Sequence, residues 1–166
     1  MSCKNSEMKM IELHENGLDI QFRIRENGVV ELADFSSQEV KKAVMEPKDD
    51  ICYPAVEIHR SGTGSLNMHA YKNNINQSSV DFVYENHELK EQDGGKELEI
   101  VMVSPEKLKA VYHMRLFDGV PAVQTWTEII NEGSEDQGLT YVSSFMYQGI
   151  SRGGEKPYYK KTDIYV

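Results

Sequence analysis

The sequence predicts an all-β domain, a two-layer antiparallel β-sandwich with at most one short helix. Three observations carry that expectation. Apolar and polar residues alternate with a period of two through most of the 166-residue chain, the pattern of a strand with one buried face. Asn-Gly and Asp-Gly pairs, which tolerate the positive φ of tight hairpin turns, fall between successive alternating segments. Hydrophobic residues make up 39% and charged residues 27% of the chain, a composition that supports one core in a single domain spanning residues 1–166.

The elements follow in order. Leu18, Ile20, Phe22 and Ile24 interleave with Asp19, Gln21, Arg23 and Arg25. Asn27-Gly28 then turns the chain, and "VVELADF" returns as the partner strand. Ser36 with Glu39 forms a capping box, Val40, Ala43 and Val44 follow at helical spacing, and Pro47 closes this one short helix. Val80, Phe82 and Tyr84 alternate with Asp81 and Glu85, and "LEIVMV" is a more fully buried strand. Leu108, Ala110, Tyr112, Met114 and Leu116 share a face, Asp118-Gly119 ends their strand, and Val123 to Ile130 runs back. After the turn Asn131-Glu132-Gly133-Ser134, Leu139, Tyr141, Ser143, Phe145 and Tyr147 line one face of a strand, and Thr140, Val142, Ser144 and Met146 the other. The closing "KKTDIYV" reads as a strand just starting, so the expectation is a piece of a longer protein.

Charge and composition narrow the function. The net charge is -9, from 27 acidic and 18 basic residues, and Lys and Arg are not clustered as phosphate binding requires, so nucleic acid is not an expected partner. The N-terminus "MSCKNSEMKMIELHENG" lacks the apolar run of a signal peptide, and no segment nears the roughly 20 apolar residues that span a bilayer. A cytoplasmic protein without a membrane partner is the expectation. Cys3 and Cys52 read as free thiols.

Chemistry-bearing residues gather in "YPAVEIHRSGTGSLNMHAYKN". The strand period puts Glu57 and His59 on one face, over Val56 and Ile58 on the other. A carboxylate beside an imidazole can share a proton, orient a general base or hold a sugar hydroxyl; it can equally be a polar rim above an apolar face. His69, Tyr71 and Lys72 lie just beyond. No helix follows "RSGTGS", so it is not a phosphate-cradling loop. His14, His59, His69, His87 and His113 show no short spacing on one element and have no Cys partner, so no metal and no cofactor are expected. His113, beside Val111, reads as a satisfied, partly buried imidazole. Trp126, the single tryptophan, is either core or a platform for a sugar ring, whose C–H face is apolar. No serine sits in a nucleophile elbow.

The stretch "PAVEIHRSGTGSLNMHAYK" resembles a segment of the bacterial and fungal α-galactosidases of glycoside hydrolase family 36, in which Val-Glu leads to Ser/Ala-Gly and then to a His and a Lys. Here these are Val56, Glu57, Ser61, Gly62, His69 and Lys72. Similarly, "AVQTWTEIINEGSEDQGLTYVSSF" is similar to that family's Asn-x-Gly strand end and Leu-x-x-x-Ser-Ser-Phe strand, at Asn131, Gly133, Leu139, Ser143, Ser144 and Phe145. The resemblance runs from Gly17 to Val166, while the loop between Gly62 and His69 departs from the usual acidic, His-containing stretch.

The resemblance implies a galactose-mutarotase-like β-supersandwich placed ahead of a (β/α)₈ barrel, with the catalytic aspartates of a retaining mechanism on the barrel. It implies no catalytic residue in this chain and a rim role for Glu57, His59, His69, Lys72 and Trp126. The implied partners are the barrel of the same polypeptide, an α-galactoside oligosaccharide and further copies in a homo-oligomer. Two other functions use the same residues: a mutarotase-type epimerase with Glu57, His59 and His69 as acid and base, and a stand-alone sugar-binding module built on Trp126.

Overall fold

The computed structural model describes residues 9–37, 53–63 and 77–147. Its first sheet has the order β1 (Lys9–Glu15), β2 (Leu18–Ile24), β3 (Val30–Ser37), all antiparallel. Asn16 and Gly17 join β1 to β2 with φ of 51° and 84°, the paired positive values that match a two-residue hairpin to strand twist. At the anticipated Asn27-Gly28 turn, Gly28 has φ 85° and sits against Val83, with its carbonyl accepting from the Tyr84 amide at 2.8 Å.

The second sheet is a meander of β5 (Val83–Gln92), β6 (Gly95–Val103), β7 (Leu108–Phe117) and β8 (Val120–Asn131). Between the two sheets in sequence come β4 (Ile58–Arg60) and the single turn of helix α1 (Gln77–Val80); β4 pairs with β9 (Leu139–Val142). The described residues are thus an all-β, antiparallel sandwich with one short helix. None of their helices is long and apolar enough to cross a membrane.

The alternating residues meet in the core. Ile20 and Phe22 of β2, Leu98 and Ile100 of β6 and Leu108, Tyr112 and Met114 of β7 are all buried, joined by Val56, Ile58 and Phe82. Phe22 and Tyr112 bridge the layers edge to face, with ring centroids 5.7 Å apart and planes at 64°. Burial pushes the Tyr112 phenol well above its ordinary range, against the opposing effect of a hydrogen bond with Thr125. The unfolded chain therefore releases this proton near pH 10 while the folded chain keeps it, so stability is fully present below that pH and falls above it. From about pH 10 to 11.5, wild type should lose about 1.4 kcal/mol per pH unit more than Tyr112→Phe in urea unfolding; parallel curves would contradict this.

Two expectations change here, and one strand is added. Strand β1 joins the sheet through Ile11 and Leu13, its two buried residues. Ser36 does not cap a helix: it lies on β3 opposite Asp19, and its hydroxyl donates to Asp34 at 3.0 Å, a long-range ladder overriding a local capping pattern. Glu39, Val40, Ala43, Val44 and Pro47 lie outside the described residues, as do "KKTDIYV", Cys3 and Cys52. Val80 ends α1 rather than opening a strand, because the helical turn places the Ser78 and Ser79 hydroxyls on the backbone of β4.

The last strand also stops early, at Val142. The Glu57 amide is satisfied by the Ser143 hydroxyl at 2.8 Å instead of a carbonyl, and the Ser143 carbonyl accepts from Thr127 Oγ1 at 2.9 Å. The Ser143 amide still donates to the Glu57 carbonyl at 2.8 Å, but with its own carbonyl turned to Thr127 the ladder goes no further, and Phe145 and Tyr147 turn toward Phe35.

Candidate functional site

Strand β4 carries the first site. Backbone groups along one edge of it pair with β9; along the other, the Ile58 and Arg60 amides are hydrogen-bonded by the Ser79 and Ser78 hydroxyls at 2.9 and 3.2 Å. A three-residue strand is thereby fixed on both edges. Arg60 points inward, where its guanidinium reaches Asp81 at 3.1 Å and Glu106 at 2.6 Å. Partial burial, the largest influence on Glu106, raises its pKa, but its own backbone amide, Arg60 and Ser104 together hold the carboxyl below the usual range.

The opposite face presents His59 of β4 and Glu57 immediately before the strand, two residues apart as an extended backbone requires. His59 Nε2 lies 2.9 Å from Glu57 Oε1, with side-chain exposures of 27% and 14%, so the pair is reachable yet held. Directly across the ladder from His59 stands Tyr141, half exposed, with ring centroids 5.1 Å apart. Carboxylate, imidazole and an open phenol ring form a small polar corner beside an aromatic face. Such a surface offers donors and acceptors to sugar hydroxyls and a flat apolar contact to a sugar's C–H face. Leu139, on the same strand as Tyr141, and Phe145, packed edge to face on Phe35, are also exposed.

The rim residues anticipated from sequence do not all come together here. Glu57 and His59 do; His69 and Lys72 lie outside the described residues. Trp126 lies elsewhere. Its neighbours Thr125 and Thr127 face inward, toward Tyr112 and the Ser143 carbonyl, so Trp126 stands on the outer face of the four-stranded sheet, away from Glu57. Tyr141 is the member that sequence reasoning missed as a site residue. Its period-two position was legible, but its place opposite His59 depends on β4 pairing with β9 across some eighty residues.

Trp126 marks a second cluster. Its indole lies flat on the His113 imidazole, 4.6 Å between centroids and 5° between planes. His113 Nδ1 is 2.9 Å from Glu97 and 3.9 Å from Glu99, and Nε2 is 3.8 Å from Glu128. The ring is therefore only half satisfied: Nδ1 is hydrogen-bonded, and Nε2 is buried with no hydrogen-bond partner among the described residues. An open depression elsewhere, lined by Pro105, Lys107, Glu132, Ser134 and Gln137, includes neither Glu57 nor His113.

Comparison with known proteins places the fold. No protein-family model matches the chain, and no curated protein does. Among solved structures, it is similar to a doubly substituted GH36 α-galactosidase AgaA from Geobacillus stearothermophilus in complex with raffinose. The TM-score is 0.50 and the identity 11%, over 75% of this chain and 22% of that one. The structure of AgaA itself aligns at a TM-score of 0.46 and 13% identity, over 76% of this chain and 23% of that one. The chain thus spans less than a quarter of the enzymes it aligns with.

Proposed function

We propose that this chain is the non-catalytic N-terminal β-sandwich of an α-galactosidase of the GH36 kind, which supports a catalytic barrel in the same polypeptide and shapes its substrate entrance. The observation that carries this reading is the fold likeness to the raffinose-bound α-galactosidase over three quarters of the chain. It agrees with the Val-Glu and Asn-x-Gly motifs in the sequence. In this reading the exposed Leu139, Tyr141 and Phe145 are the face turned to the barrel and to further copies of the enzyme. Glu57 and His59 stand at its edge, where they offer hydrogen bonds to the outer rings of an α-galactoside oligosaccharide. Bond cleavage belongs to the barrel.

Substitution in the full-length enzyme tests the rim assignment. Because rim contacts bind substrate and transition state alike, His59→Ala and Glu57→Gln should raise KM for raffinose about 3- to 10-fold and leave kcat within about twofold. A kcat loss of about 100-fold with KM unchanged would instead put the pair in the chemistry.

The Glu57–His59 contact also favours a second reading, a mutarotase-like epimerase, since an adjacent carboxylate and imidazole can act as base and acid on a sugar ring. Polarimetry of freshly dissolved α-galactose separates the two: an epimerase accelerates mutarotation and loses the effect in His59→Ala, whereas a supporting domain leaves the spontaneous rate unchanged.

A further inference from the structure

We infer that the cluster on the outer face of the four-stranded sheet binds a divalent transition-metal ion of the zinc class through His113 Nδ1, Glu97 and Glu99. The three donors come from neighbouring strands, with Glu99 directly opposite His113 in the β6–β7 register and Glu97 two residues away on β6. Their ligand atoms all lie within 4.8 Å of one another, at 2.9 and 3.9 Å for the two imidazole–carboxylate pairs. Two atoms each about 2.1 Å from one zinc ion lie at most about 4.2 Å apart. Both measured pairs already meet that limit, and an imidazole with two carboxylates is a donor set suited to zinc and its first-row neighbours.

The surroundings orient these donors as an outer shell does. Gln92 Nε2 donates to Glu97 Oε2 at 2.7 Å, and Lys90 Nζ holds Glu99 Oε2 at 2.6 Å. Each carboxylate is thus gripped by its far oxygen and turns its Oε1 toward the imidazole. Charge points the same way. Glu97, Glu99 and Glu128 face His113, Lys90 is held by Glu99 and shared with Glu88, and Arg115 stands opposite Glu97 in the ladder. The Arg115 guanidinium is turned away, to the Asp93 carbonyl and over the Phe117 ring. A dication would offset part of the negative charge that these carboxylates gather round the ring.

The orphaned ring nitrogen is the independent sign. The His113 side chain is more than nine-tenths buried, and its Nε2 has no hydrogen-bond partner among the described residues, an arrangement that costs free energy. While Nδ1 carries the proton and donates to Glu97, no described residue supplies Nε2 with a donor. With an ion on Nδ1 the neutral ring carries its proton on Nε2, aimed at Glu128, whose carboxylate is 3.8 Å away and exposed enough to close the gap. No proton is gained or lost in the exchange. The result is a metal-bound histidine whose second nitrogen donates to a carboxylate, the usual arrangement of such ligands.

Trp126 makes the site measurable, because the single indole stacks on the ligand ring. Nickel(II) titrated into the chain should quench its emission with one-to-one saturation, and zinc should compete. Glu99→Gln should weaken binding at least about 10-fold, and Glu128→Ala, which removes only the outer partner, about 10-fold. His14→Ala, in the three-stranded sheet, should leave it within about twofold. Far-ultraviolet circular dichroism matching wild type establishes that each variant is folded. Absence of saturable quenching below about 1 mM nickel, or an unchanged midpoint in both carboxylate variants, overturns the assignment.

Discussion

Phe22→Ala is expected to lower the unfolding free energy by about 3–5 kcal/mol, a large share of the 5–15 kcal/mol typical of a domain. Phe22 is fully buried, and its ring meets Tyr112 edge to face, so it is a point at which the three-stranded layer grips the four-stranded one. Truncation removes the transfer free energy of the ring and leaves a cavity that Ile20 and Ile100, themselves fully buried in close-packed strands, cannot collapse into. Phe22→Leu keeps most of the volume and should cost about 1–1.5 kcal/mol. Urea unfolding with an unchanged m-value is the measurement. A loss under about 1.5 kcal/mol for the alanine variant would mean that the layers do not pack through this pair.

The second large effect lies in the backbone. A Cβ at Gly95 would stand 1.9 Å from the Leu116 carbonyl oxygen and 3.2 Å from Phe117 Cα, at a φ of 155°. Both obstacles belong to the main chain of β7, which is locked to β6 by the ladder that begins at the Gly95–Phe117 pair, so no rotamer change relieves the overlap. Gly95→Ala should cost about 3 kcal/mol or more. Its neighbour provides the control: Gly94 also has a positive φ, 76°, but nothing lies within 4 Å of an added Cβ. Gly94→Ala should therefore cost only about 1 kcal/mol. Equal losses in the two variants would show that dihedral strain, and not the close approach of β7, sets the cost.

Much of the fold was legible because its signals are local. The strand from Leu18 to Ile24 and its Asn27-Gly28 turn, and the strand from Leu108 with its Asp118-Gly119 turn, stand where period and turn chemistry put them. What failed was set by distant partners. Ser36 reads as a cap until Asp19 and the β2 ladder claim it. Val80 fits a strand period, but the neighbouring Ser78 and Ser79 hydroxyls are needed by β4, some twenty residues earlier, and only a helical turn delivers both.

The same division runs through the sites. Glu57 and His59 are two apart, on and just before β4, and their contact follows from the two-residue period of extended backbone. Tyr141 and the Glu97–Glu99–His113 cluster arise from register between strands. Histidine spacing along the chain carries no trace of such a cluster, since each ligand pair other than Glu97 and Glu99 spans a hairpin. Trp126 was recognised as a residue of interest, but its side of the sheet follows from which neighbours reach Tyr112 and Ser143.

The most direct test of the supporting-domain account is to sequence the reading frame downstream of the Val166 codon. The account predicts that it continues into alternating strands and helices, with aspartates at the C-terminal ends of two parallel strands as a retaining glycosidase barrel requires. A stop codon immediately after Val166 would contradict it, and the Glu57–His59–Tyr141 corner would then have to act without a barrel.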